Sequence, residues 1–82
     1  MKKSSVLKKL NHTYPNIMAD IGDVLTQNSI QYKKTQSEIV AFESSKKAIN
    51  MVISSLIPDS DKKILLDVVG TRDKVYIRRR CS

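Results

Sequence analysis

The chain has 82 residues, of which 40% are hydrophobic and 28% charged, and its formal net charge is +7 at pH 7. This length allows one small domain with no room for a catalytic domain beside a binding domain, and the composition argues against general disorder. No apolar run reaches the roughly 20 residues of a membrane helix, the lysine-rich start lacks a secretory signal, and the single Cys81 cannot form an internal disulfide, so a cytoplasmic protein is expected.

The first quarter of the chain has the pattern of helices. Ser4 or Ser5 can cap a short helix that stops before Pro15. Apolar residues then recur at i, i+4 and i+7 spacings, which predicts an amphipathic helix at 15–28 with the proline at its first position. Gly22 weakens this helix by about 1 kcal/mol relative to alanine, which indicates close packing at that position.

A hairpin and a stretch with two interpretations follow. Two short runs rich in β-branched and aromatic residues, at 30–34 and 38–43, flank a polar turn and predict a β-hairpin. Residues 46–56 form a clean apolar stripe if they are helical, with Ser44 or Ser45 as the cap and Pro58 as the stop. The alternative for this stretch is a strand, and the helix is favoured.

The last third predicts a second hairpin, with strands at 62–69 and 74–79 and with Gly70 as a permissive turn residue. The expected fold is therefore α+β, a single domain over 1–82 in the order α-β-β-α-β-β. Its two loosely similar halves would form one antiparallel sheet of two hairpins, with the helices packed on one face. If 46–56 is a strand, the chain becomes one or two helices followed by an antiparallel meander.

The positive charge is concentrated at the two ends of the chain. Residues 1–14 carry four lysines and no acid, and residues 74–82 carry one lysine, three arginines and no acid. The region between them has seven basic and eight acidic residues. A nearly neutral body with basic extremities suits an anionic partner, either a nucleic acid or an acidic protein surface.

Strand alternation in the last hairpin separates the side chains of 74–80 into two faces. Val75 and Ile77 lie on one of them. The other is a basic strip with one aromatic residue, Lys74, Tyr76, Arg78 and Arg80. Arginines hold phosphates and tyrosine stacks on exposed bases, so this strip predicts a nucleic-acid surface. If the hairpins are neighbours, the strip is extended by residues of the first one, Tyr32, Lys33 and Lys34.

The segment "KKILLDVVGTRDKVY" resembles the C-terminal strands of the RelE/ParE toxin superfamily, in which an apolar strand runs into a Gly-x-Arg-x-x-Val-Tyr pattern. The matching positions here are Gly70, Arg72, Val75 and Tyr76. The resemblance implies a ribonuclease in which Arg72 stabilises phosphate charge and Tyr76 assists proton transfer or stacks on a base. It also requires residues 46–56 to form a strand.

The residues themselves indicate binding more than catalysis. His12 is the only histidine, the acids are scattered, and there is no phosphate loop, nucleophile elbow or paired-carboxylate motif, so no catalytic residue, metal site or cofactor is predicted. The leading hypothesis is a small basic protein that binds RNA or DNA without being an enzyme. The alternatives are a phage or mobile-element type of inhibitor or adaptor that docks on a host protein, and the RelE/ParE-like ribonuclease. The oligomeric state stays open.

Overall fold

The structure, a computed structural model, describes residues 3–80. Within that range the chain forms four helices and four strands. They are α1 (Lys3–Thr13), α2 (Ile17–Gln27), β1 (Tyr32–Lys34), β2 (Glu38–Ala41), α3 (Lys46–Ile53), α4 (Asp59–Leu65), β3 (Leu66–Gly70) and β4 (Val75–Arg79). Cys81, on which the expectation of a reducing compartment rests, lies outside the described residues.

The four strands form one antiparallel sheet, which confirms the α+β class and the two hairpins. The strand order is β1-β2-β4-β3, so the hairpins β1–β2 and β3–β4 stand side by side and meet where β2 pairs with β4. Each half of the chain runs α-α-β-β. The order therefore differs from the predicted α-β-β-α-β-β by two helices. Helix α1 corresponds to the short helix expected before Pro15, which that order did not count, and α4 was not predicted.

One face of the sheet carries the hydrophobic core. Ile39 and Ala41 of β2 and Val75 and Ile77 of β4 are fully buried there. They belong to the same cluster as the buried residues of the helices, which are Leu10, Ile17, Ile21, Leu25, Ile49, Ile53 and Leu65. The described helices thus cover this face, which we call the inner face.

Helix α3 confirms the favoured interpretation of 46–56. The Oγ of Ser45 accepts a hydrogen bond from the Ala48 amide at 3.1 Å, and the apolar stripe buries Ile49 and Ile53. In a strand, the apolar side chains of this stretch would have been divided between two faces, whereas in the helix they lie together on one face.

The strand predicted at 62–69 is wrong in its first half, where the chain forms α4. Pro58 precedes this helix, Asp59 and Asp61 occupy its first turn, and its last turn holds Lys62 and Lys63. Acids near the start and bases near the end both match the helix dipole. The apolar run at 64–66 fits either structure, and the chain passes from helix to strand there without a loop.

Strand β1 is shorter than the predicted 30–34 because Ile30, the first of those residues, is hydrogen-bonded to the end of α2. The Ile30 amide donates to the Leu25 carbonyl at 2.9 Å, and the Ser29 amide donates to Thr26 at 3.0 Å. Ser29 has a φ of 60°, which is the left-handed conformation of a Schellman cap. Strand pairing therefore begins only at Tyr32.

Gly22 of α2 lies against β1, in agreement with the close packing that the sequence indicates. A Cβ at this position would lie 2.7 Å from the Tyr32 hydroxyl oxygen and 3.2 Å from its Cζ. We expect Gly22→Ala to lower the free energy of unfolding by about 1–2 kcal/mol, because overpacking outweighs the gain of about 1 kcal/mol in helix propensity. Urea denaturation of the variant checks this expectation.

The companion change Tyr32→Phe removes the oxygen that the new methyl group would meet. In this background we expect Gly22→Ala to cost measurably less than it does with Tyr32 present. A Gly22→Ala variant that is more stable than the parent chain, with Tyr32 unchanged, would contradict the close-packing account.

Candidate functional site

The face of the sheet turned away from the core has no helix packed on it among the described residues, and we call it the open face. Cross-strand pairing aligns one residue from each of the four strands in a single row across it, Lys33, Val40, Tyr76 and Val69. A neighbouring row contains Glu38, Arg78 and Asp67. None of these seven belongs to the hydrophobic core cluster.

Tyr76 occupies an inner position of its row because β4 is one of the two central strands. Its side chain is half-buried, with Val40 on one neighbouring strand and Val69 on the other. A shallow depression of about 280 Å³ lies beside the ring, lined on its polar side by Asp67 and Arg78. A planar group bound in this depression would contact the Tyr76 ring and the Arg78 guanidinium at the same time.

Both arginines of the predicted strip lie close to carboxylates. Arg78 donates through Nε to the Glu38 carboxylate on β2, and this hydrogen bond raises the pKa of the arginine. Arg80 has its Nη2 3.8 Å from an oxygen of Asp67, and its Nε donates to the Leu66 carbonyl at 3.3 Å. The strip is therefore a surface of mixed charge in which the cations remain in excess.

The two lysines of the open face have no carboxylate partner among the side chains that the structure describes. Lys33 lies in the row of Tyr76, and Lys74 has its Nζ 6.0 Å from the centroid of the Phe42 ring. Phe42 is 47% exposed and Val69 is 49% exposed. Sequence reasoning missed Phe42, although its alternation with Ala41 on β2 could have placed it on this face.

The structure does not bring all the predicted site residues together. Lys33 joins the strip, but alternation along β1 turns Tyr32 and Lys34 to the helix side, where they pair with Ala41 and Ile39. Tyr32 packs against Gly22, and Lys34 is exposed at the end of its strand. Arg72 is exposed in the turn between β3 and β4, beyond the paired rows.

Arg79, which the sequence did not single out, serves the fold. Its side chain lies on the inner side of β4 and reaches the carboxyl-terminal end of α1. The guanidinium donates to the carbonyls of Asn11 at 3.0 Å, Pro15 at 3.1 Å and Tyr14 at 3.4 Å, and also to the Asn11 side-chain oxygen. One of the three consecutive arginines is thereby a helix cap.

The strand that the RelE/ParE resemblance requires is not formed, because residues 46–53 are helical. Across residues 3–80 there is no group of three or more histidine, cysteine or acidic side chains that could hold a metal ion. In the same range, none of the helices is both long and apolar enough to cross a membrane.

Comparison with protein-family models, with curated proteins and with solved structures finds no match to this chain.

Proposed function

We propose that the protein binds single-stranded nucleic acid on its open face, with a base stacked on Tyr76 and phosphates held by the surrounding cations. The observation that carries the proposal is the row in which Tyr76 stands between Val40 and Val69, with Lys33 at one end, on a sheet face that no described helix covers. By analogy, four-stranded sheets in other proteins stack unpaired bases on exposed aromatic residues in this way.

A single strand fits this surface better than a duplex. Stacking on a tyrosine ring needs an accessible base face, which paired bases inside a duplex do not offer. The open face has no helix packed on it among the described residues that could enter a major groove, and the neighbours of Tyr76 in its row are the short branched side chains of Val40 and Val69. The net positive charge favours association with any polyanion, so the preference must be measured against duplex DNA as the competitor.

The test is a titration of fluorescent single-stranded RNA, single-stranded DNA and duplex DNA of equal length, followed by anisotropy at several salt concentrations. We expect the single strands to bind more tightly and their affinity to fall with salt, by a slope of about −0.7 for each phosphate contact. No binding of any of the three at low salt would refute the proposal.

Lys33 and Lys34 provide a matched pair of variants, because they are adjacent lysines on opposite faces of the same strand. Lys33→Ala is expected to reduce the magnitude of the salt slope by about 0.7 and to weaken binding. Lys34→Ala removes the same charge from the helix side and is expected to leave the slope unchanged. Equal effects of the two substitutions would indicate attraction by net charge alone, without use of the open face.

A protein partner is the second candidate function. The observation that favours it is the exposure of Phe42 near Lys74 and of Val69 near the ion-paired Arg78, a combination of apolar and charged groups that also occurs in protein interfaces. Such a partner would need an acidic rim to meet Lys33 and Lys74. A stoichiometric complex recovered from the native host and disrupted by Phe42→Ala, together with no nucleic-acid binding, would favour this candidate.

A further inference from the structure

A basic cleft lies between the first turn of α3, helix α4 and the edge strand β3, and we call it the α3–α4 cleft. Its volume is about 340 Å³, and it continues along α3 into a second groove of about 440 Å³. Its lining includes the cations Lys46, Lys62, Lys63 and Arg80, to which the second groove adds Lys47. Asp67 is the acid of the cleft and Asp59 that of the groove.

Gly70 allows Lys46 to approach the sheet at this point. A Cβ at Gly70 would lie 3.0 Å from the Cβ of Lys46, tighter than ordinary contacts. None of the described glycines has a positive φ, so the glycine is needed here for close approach and not as the permissive turn residue that the sequence predicted. The start of α3 is thereby held directly beside β3.

The first turn of α3 concentrates positive potential at the mouth of the cleft. It contains Lys46 and Lys47 and no acid, and Ser45 caps the helix. The amino-terminal end of a helix is itself positive, so two lysines there are electrostatically unfavourable unless an anion is bound. Helix α4 shows the opposite and usual arrangement, with Asp59 and Asp61 in its first turn.

Lys62 is held in place by partners within the protein, whereas Lys46 and Lys63 at the edge of the cleft are available to a ligand. The Lys62 side chain is only 11% exposed; its Nζ donates to the Asn50 side-chain oxygen at 2.8 Å and lies 3.3 Å from Asp59. Hydrogen bonds from Ser54 and Lys62 lower the pKa of Asp59. Lys46 and Lys63 are exposed and have no carboxylate partner among the described side chains.

The chemistry of the cleft suits phosphates and not bases. Among the described residues, no aromatic side chain lines either the cleft or the groove. The cleft also adjoins the depression beside Tyr76 at the edge of β3, because Asp67 lines both. A single-stranded nucleic acid that extends from Tyr76 across β3 would therefore reach the lysines of the α3–α4 cleft next.

We propose that the α3–α4 cleft holds backbone phosphates of the same single-stranded nucleic acid whose bases lie on the open face, with Lys46 and Lys63 as the contacting cations. This inference rests on the proposed function and adds the direction in which the bound strand runs, across β4 and β3 and then along α3. It also gives a role to the paired lysines at the start of α3, whose position at a positive helix end the fold does not explain.

The experiment combines a double variant with a direct phosphate probe. Lys46→Ala with Lys63→Ala is expected to weaken binding of a single-stranded decamer on the order of tenfold at low salt and to reduce the salt slope by about 1.4. The matched control, Lys9→Ala with Lys34→Ala, removes the same charge from α1 and from the far edge of the sheet. It is expected to change neither the affinity for the decamer nor the salt slope. Pyrophosphate added to the uncomplexed protein is expected to shift the amide resonances of Lys46 and Val68.

The outcomes separate this inference from the proposed function. If the decamer binds but the cleft variant keeps the full slope and pyrophosphate shifts neither resonance, the cleft inference fails and binding on the open face stands. Equal losses in the cleft and control variants would also overturn it, because the effect would then come from net charge. If the decamer does not bind the unmodified protein, the proposed function fails and this inference fails with it.

Discussion

Replacing Arg79 with alanine is expected to lower the free energy of unfolding by about 3 kcal/mol, the largest stability effect of any arginine in the described chain. The guanidinium donates to three main-chain carbonyls at the end of α1 and to the Asn11 side chain. Hydrogen bonds from a charged donor contribute about 1.5–3 kcal/mol, and a cation at a helix carboxyl terminus adds a favourable interaction with the dipole. The substitution leaves the partly buried acceptor oxygens of Asn11 and Tyr14 without their donor.

The measurement is urea denaturation followed by circular dichroism, with the neighbouring arginine as the control. Arg80→Ala removes the same type of side chain one position later, where it is exposed and lies near a single carboxylate, and is expected to cost less than about 1 kcal/mol. Arg79→Lys should be intermediate, because a lysine keeps the charge but cannot reach several carbonyls at once. Equal stabilities of the Arg79→Ala and Arg80→Ala variants would contradict the capping role.

Replacing Tyr76 with alanine is expected to weaken binding of a single-stranded oligonucleotide by about 5- to 150-fold, the largest effect on affinity. This range follows from the roughly 1–3 kcal/mol that one stacked base loses when its aromatic partner is removed. The salt slope should stay the same, because no positive charge is lost. Anisotropy titrations at two salt concentrations measure the affinity and the slope together.

Tyr76→Phe is the matched control because it keeps the ring and removes only the hydroxyl group. Its affinity is expected to lie within about threefold of the parent protein, since stacking uses the ring face. Thermal unfolding of both variants establishes that the sheet is intact, as Tyr76 is half-buried between two valines. If the phenylalanine variant loses as much affinity as the alanine variant, the hydroxyl and not stacking carries the interaction.

Local sequence patterns predicted the elements whose signals are short-range. The serine before α3 and the spacing of Ile49 and Ile53 favoured a helix, and the alternation in β4 separated Val75 and Ile77 from Tyr76. The start of α4 was missed because its acidic residues also fit a turn. The combination of a preceding proline, acids in the first turn and lysines in the last turn was the signal that could have identified this helix.

The composition of the site depended on strand pairing, which no local pattern specifies. Only the pairing of β2 with β4 brings Glu38 to Arg78, and this changes an apparently basic strip into a partly neutralised one. The fate of Arg79 likewise depends on where α1 packs. Alternation alone does separate Lys33 from Tyr32 and Lys34, so the grouping of these three on one surface could have been avoided.

The pairing of β2 with β4 also bears on how the protein reaches its folded state. Each hairpin closes through contacts between near neighbours in sequence, whereas the Glu38–Arg78 contact joins positions 40 residues apart. Non-local pairing of this kind is slow because the entropy of closing the intervening loop is lost before the contacts form. Tyr76 and Lys33 lie on opposite sides of that junction, so we expect an unjoined hairpin to have little affinity for the ligand. Ligand binding would then favour the joined state, which couples recognition to the pairing of the two hairpins.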